Sequence, residues 1–150
     1  MILQLWRKEV ANANMATIIA TAESILGIAP HRSDQILKGM GYKNFERFRT
    51  ATGLSIAEAG QVFNIPLRTL QRRKAEGCLN PEESDRVYRA ARVFSEIVDH
   101  NEGDEAAARV WIREENPRLG GKQPFTMLGT EISTRKVSQL IGRLEHFIET

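Results

Sequence analysis

A single cysteine, Cys78, stands among the 150 residues, with no second Cys or His beside it at zinc-ligand spacing. An intrachain disulfide is excluded, a reducing and therefore cytoplasmic setting is expected, and Cys78 reads as a packing residue. A thiol just after a helix C-terminus meets the wrong end of the helix dipole for thiolate chemistry. Net charge is nearly absent too. The 21 Lys and Arg against 19 Asp and Glu leave +2, so any argument for nucleic acid has to be local. Hydrophobic content of 41% and charged content of 27% are ordinary globular values that suggest neither disorder nor a membrane protein. Strand patterns are missing: no stretch of four or more residues alternates apolar and β-branched residues between turn signals, so the expected fold class is all-α. Histidines are few and scattered. His31, His100 and His146 form no His-x-x-x-His pair, no Gly-x-Ser-x-Gly elbow occurs, and neither a metal nor a hydrolase triad has local support. Lys122 follows Gly120 and Gly121, but a P-loop needs a glycine five residues before the Gly-Lys pair and a Ser or Thr after it, where Gln123 stands. The expected protein is not an enzyme and uses no cofactor.

What is present is helical periodicity. Arg7 and Lys8 precede a charge-free run, Val10 to Ala22, which closes on Ala20-Thr21-Ala22 like a signal-peptidase site. Asn12, Asn14, Thr17 and Thr21 make it too polar for that role. The spacing of Met15, Ile18, Ile19, Ala22, Ile25 and Leu26 predicts a packing helix stopped at Gly27. Short helices are predicted over Ser33 to Met40, Asn44 to Thr52, Ser55 to Phe63 and Pro66 to Glu76. A long one opens at Asn80-Pro81-Glu82-Glu83, where a capping side chain, a first-turn proline and two acids coincide. It should end near Asn101, with Asp104 capping the next helix and turning Ala107, Val110 and Trp111 inward. Trp111 reads as core, Gly120 to Pro124 as a tight turn. A last helix from Ser133 carries the stripe Val137, Leu140, Ile141, Leu144 and Ile148. The expected division is an extension and packing helix over 1–30, a DNA-binding and dimerisation domain over 31–101, and a smaller domain over 102–150.

The segment Leu54 to Gly77, LSIAEAGQVFNIPLRTLQRRKAEG, pairs two short helices across a turn. Gly60 is the small residue that crossing helices need, Asn64 tolerates the left-handed reversal, and Ile65 and Leu70 plug the gap. On the second helix Leu67 and Leu70 are expected to face inward, leaving Arg68, Thr69, Gln71, Arg72 and Arg73 toward solvent or a groove. Arg68, Arg72, Arg73 and Lys74 give four positive charges and no negative one between positions 68 and 74. Arginines can reach guanine O6 and N7 or phosphates; Thr69 or Arg72 is suited to bases and Lys74 to phosphate. The plain alternative for such a run is a solvated helix face. One module covers little groove, so a two-fold homodimer on a palindromic operator is expected.

Two longer stretches resemble the MbcA/ParS/Xre antitoxin family. In the first, Arg68-Thr69-Leu70, Arg72-Arg73-Lys74, Gly77, Leu79-Asn80-Pro81 and Glu83-Ser84-Asp85-Arg86 match its Xre-like helix-turn-helix. In the second, Trp111, Asn116, Leu119, Gly120-Gly121, Pro124, Leu128, Thr130, Val137, Leu140 and Arg143-Leu144-Glu145 match its C-terminal toxin-binding domain. The resemblance implies a toxin encoded alongside, most often a RES-domain enzyme that destroys NAD or a related ADP-ribosyltransferase. It implies inhibition by obstruction of the toxin's active site and repression of the shared promoter. The chain departs from the pattern at Phe147 and near Ile132 and Ser133, where family members tend to carry glycines. Toxin contact is expected from Arg143, Glu145, His146, Phe147 and Ile148, on or after the last helix. The alternative is a stand-alone helix-turn-helix regulator without a toxin partner.

Overall fold

The structure, a computed structural model, describes residues 15–29, 33–36 and 38–148; of residues 33, 35 and 146–148 only the backbone is described. The elements are α1 (residues 15–26), α2 (Ser33–Ile36), α3 (Tyr42–Thr52), α4 (Ile56–Phe63), α5 (Leu67–Glu76), α6 (Pro81–His100), α7 (Glu105–Trp111) and α8 (Glu131–Ile148), with 3-10 turns at Pro117–Leu119 and Pro124–Met127. Among the described residues there is no strand, only isolated bridges at Gly41 with Cys78 and Asn116 with Lys122. The all-α expectation holds.

Local chemistry fixes where these helices start and stop. Ser55 Oγ accepts from the Glu58 amide at 3.0 Å while Glu58 Oε1 accepts from the Ser55 amide at 2.9 Å, closing a capping box on α4. Asn80 and Glu83 do the same for α6 at 2.8 and 2.9 Å, with Pro81 in its first turn. Asp104 caps α7 through the Ala107 amide at 3.1 Å. The ladder begins earlier than expected in two places. Tyr42 donates its amide to the Gly77 carbonyl, which pins the chain so that α3 starts two residues before Asn44. Thr130 Oγ1 accepts from the Ser133 amide at 3.2 Å, so α8 starts at Glu131 and not at Ser133.

The long α6 is the central post, touched by α2, α3, α4, α7 and α8, and α3 also meets α7. Buried side chains from Ala22 to Ile141 form one continuous cluster around it. The expected stripes of α1 and α8 reach this cluster at Ala22, Ile25, Leu26, Val137, Leu140 and Ile141, joined by Val87, Ala91, Phe94 and Val98 of α6, whereas Met15 at the start of α1 stays outside it at 45% exposure. Ala22 is helical and buried. Three expectations are corrected. On α7 the inward residues are Ala108 and Ile112, one helical step apart, so Val110 on the opposite face is 58% exposed. Trp111 packs against the core edge and is only partly buried. Cys78, whose backbone bridges to Gly41, is exposed and is no part of the buried core.

Candidate nucleic-acid and partner interfaces

Helices α4 and α5 form a helix-turn-helix whose geometry rests on a few residues. Asn64 ends α4 at φ 54°, ψ 46°, the left-handed reversal that its short amide side chain tolerates. Gly60 is buried at the crossing; a Cβ there would come within 2.9 Å of the Ile65 carbonyl oxygen. Ile65 and Leu70 are buried, filling the gap as expected. Helix α5 then stops on Gly77 at φ 86°, with the Gly77 amide on the Arg73 carbonyl.

The outward face of α5 carries Arg68, Gln71, Arg72 and Lys74, all exposed, with Thr69 half-buried at its edge. The ion pair between Arg72 and Glu76 is loose: Arg72 Nε lies 3.7 Å from Glu76 Oε1, both groups well solvated, so the guanidinium can be drawn away cheaply. Arg73 departs from expectation. Its side chain is only 15% exposed and grips Glu83 in a bidentate fork, Nε to Oε1 at 2.8 Å and Nη2 to Oε2 at 3.3 Å, with Nη1 on Glu76 at 3.3 Å. Position 73 lies three residues beyond Leu70 and so shares its inward face, which brings the guanidinium to the cap of α6. Leu67 also departs: at the first position of α5 it is 49% exposed, since Leu70 alone fills the inward slot.

Beside α5, Glu46 on α3 accepts from Arg49 at 2.7 and 3.1 Å. Hydrogen bonds from Arg49 hold the Glu46 carboxyl below the ordinary range, and burial raises the Tyr42 hydroxyl. Residues that the motifs do not include tie the helix-turn-helix to the C-terminal half. Arg113 donates to both oxygens of Glu58 at 2.9 Å and to the Gly53 carbonyl at 2.8 Å, and its guanidinium lies 5.2 Å from the centre of the Phe125 ring. Hydrogen bonds from Arg113 and then from the Ser55 amide push Glu58 down to about 2. Arg109 reaches the Ala51 carbonyl at 3.2 Å. No local pattern marks these partners, which lie 55 to 60 residues apart in sequence.

Of the residues expected to meet a toxin, Arg143 and Glu145 are exposed on α8, Arg143 Nε being 3.5 Å from the Gln139 carbonyl. The side chains of His146, Phe147 and Ile148 lie outside those described. At the other end of α8, Ile132 is 71% exposed. Among the described residues no group of His, Cys, Asp and Glu could hold a metal ion, and no described helix is long and apolar enough to cross a membrane.

Residues 31–92 match the family model of the antitoxin Xre-like helix-turn-helix domain, and residues 89–146 match that of the antitoxin Xre/MbcA/ParS C-terminal toxin-binding domain. The chain is 32% identical over 143 residues to a protein named Antitoxin Xre from Yersinia enterocolitica, covering 95% of this chain and 88% of the relative. It is 29% identical over 120 residues to an Antitoxin Xre from Photorhabdus laumondii, covering 79% and 81%.

Proposed function

Because this chain belongs to the Xre/MbcA/ParS antitoxin family, we propose that it is the antitoxin of a toxin-antitoxin pair, neutralising a RES-type, NAD-degrading toxin and repressing its own operon. It does so in the cytoplasm as a homodimer, without a cofactor and without catalysis of its own. The observation that carries this reading is one continuous core joining a helix-turn-helix with a cationic outer face to a segment similar to a toxin-binding domain. In the DNA complex α5 lies in the major groove, Arg68 and Arg72 reaching guanine O6 and N7 or phosphates, Thr69 and Gln71 reaching base edges, and Lys74 meeting phosphate. Arg73 leaves that set, since Glu83 and Glu76 already satisfy its guanidinium. Residues 102–150 hold the toxin, with Arg143, Glu145, His146, Phe147 and Ile148 as the contact surface that obstructs its active site.

Co-expression with the neighbouring reading frame tests the reading. That frame alone should arrest growth and deplete NAD, and the full chain should restore both. A neighbour that is harmless alone would sink the toxin-antitoxin assignment and leave a stand-alone regulator.

A further inference from the structure

We propose that Leu67 reads the C5 methyl group of a thymine in the operator, making it a specificity residue and not a core residue. The inference rests on the reading of α5 as the DNA-binding helix. Leu67 opens that helix, and the first residues of a recognition helix are those that approach base edges. It is one of the few large apolar side chains left exposed among the described residues, at 49%, where Leu70 one turn on is 1% exposed. Its side chain lines two surface depressions. One is shared with Ala57, Gln61 and Asn64 of the α4 side, the other with Tyr42, Glu46 and Arg49 of α3. Gln71 stands one turn along on the same face, with Lys74 a further turn on.

Such a placement suits one base feature. In the major groove the thymine methyl is the apolar group, and a side chain without donors or acceptors discriminates only by burying it. The packing duty of Leu67 is light. Its Cδ2 lies 3.9 Å from where a Gly60 Cβ would stand, and half of its surface remains open to solvent. The polar neighbours Arg68 and Gln71 can bond the flanking bases while Leu67 covers the methyl, so the expected half-site carries a thymine next to a guanine or adenine contact.

The test uses the full chain and works without a known operator sequence. Duplexes are selected from a random pool by the protein, and the enriched sequence is then resynthesised with deoxyuridine at each thymine in turn, which removes one methyl group and nothing else. Wild-type protein should lose about fourfold in affinity at one thymine per half-site, the worth of one buried carbon. The loss should vanish in Leu67→Ala and persist in Leu67→Met. Leu67→Gln, of similar length without the apolar tip, makes the same comparison should Leu67→Ala unfold. Indifference to uracil at every position, or a uracil effect unchanged in Leu67→Ala and Leu67→Gln, overturns the assignment of Leu67 while leaving DNA binding by α5 in place. A pool in which no sequence is enriched overturns the DNA reading itself and this inference with it.

Discussion

At the scale of single residues the sharpest constraint is Gly129, between the second 3-10 turn and α8. A Cβ there would overlap the Val62 carbonyl oxygen at the end of α4, a backbone atom that cannot swing aside. Gly129→Ala is therefore expected to cost about 3 kcal/mol or more, read from urea denaturation, although the residue is neither strained nor polar. Glu58 makes a pH-dependent contribution. Its folded value of about 2 lies below the ordinary 4.5, so the stability it adds is complete above pH 4.5 and is lost as pH falls from 4.5 through 2. With Arg113 two-fifths exposed, solvent screening leaves roughly 1–2 kcal/mol of the full shift. Glu58→Gln should lose that amount at pH 7 and flatten the acid limb of the stability curve, and an unchanged limb would show that the Arg113 pair contributes nothing. Asn64 and Gly60 could be read from sequence because each answers a local steric demand. Gly129 and Arg113 could not, because the atoms that give them meaning sit in a distant helix.

Between elements, the bond that matters most for α5 is the Arg73–Glu83 fork. Glu83 caps α6 and holds Arg73 with the same carboxylate, so the start of α6 and the body of α5 move as one. Both side chains are largely shielded, and removing one partner strands a desolvated charge. Arg73→Ala should destabilise the protein by about 3 kcal/mol in urea denaturation. Arg68→Ala and Arg72→Ala should leave stability within about 0.5 kcal/mol, yet weaken binding to the selected duplex and lower its salt slope by about 1 each where the lost contact is a phosphate. An Arg73→Ala chain as stable as wild type would return Arg73 to the DNA-contacting face. Helix existence is legible in apolar spacing and caps, as at Asn80 and Asp104. The facing of short helices is not. Patterns of two or three residues turn Val110 and Leu67 inward, whereas in seven to ten residues one neighbouring helix decides which side is buried.

For the whole molecule the question is whether the two halves stand apart. The two family matches overlap at residues 89–92, inside α6, and the buried cluster passes from Phe94 and Ile97 on that helix to Ile112, Leu128 and Leu140 beyond it. Composition shows no linker near Asn101, only a turn. A chain cut after Asn101 would lose α7 and α8, leaving the α8-facing side of α6 bare and Glu58 without Arg113. That fragment is expected not to fold cooperatively. The intact chain should unfold in a single transition, with far-UV circular dichroism and Trp111 fluorescence in a Trp6→Phe chain giving one midpoint. Two separated transitions would show that the halves are independent. If they are one unit, a partner held by the C-terminal half stabilises the helix-turn-helix by mass action, by about 2.7 kcal/mol at a free concentration a hundredfold above its Kd. Addition of the purified neighbouring protein should then slow hydrogen exchange in α4 and α5 as well as in α8. Protection confined to α7 and α8 would mean that occupancy at one end of the molecule is not felt at the other.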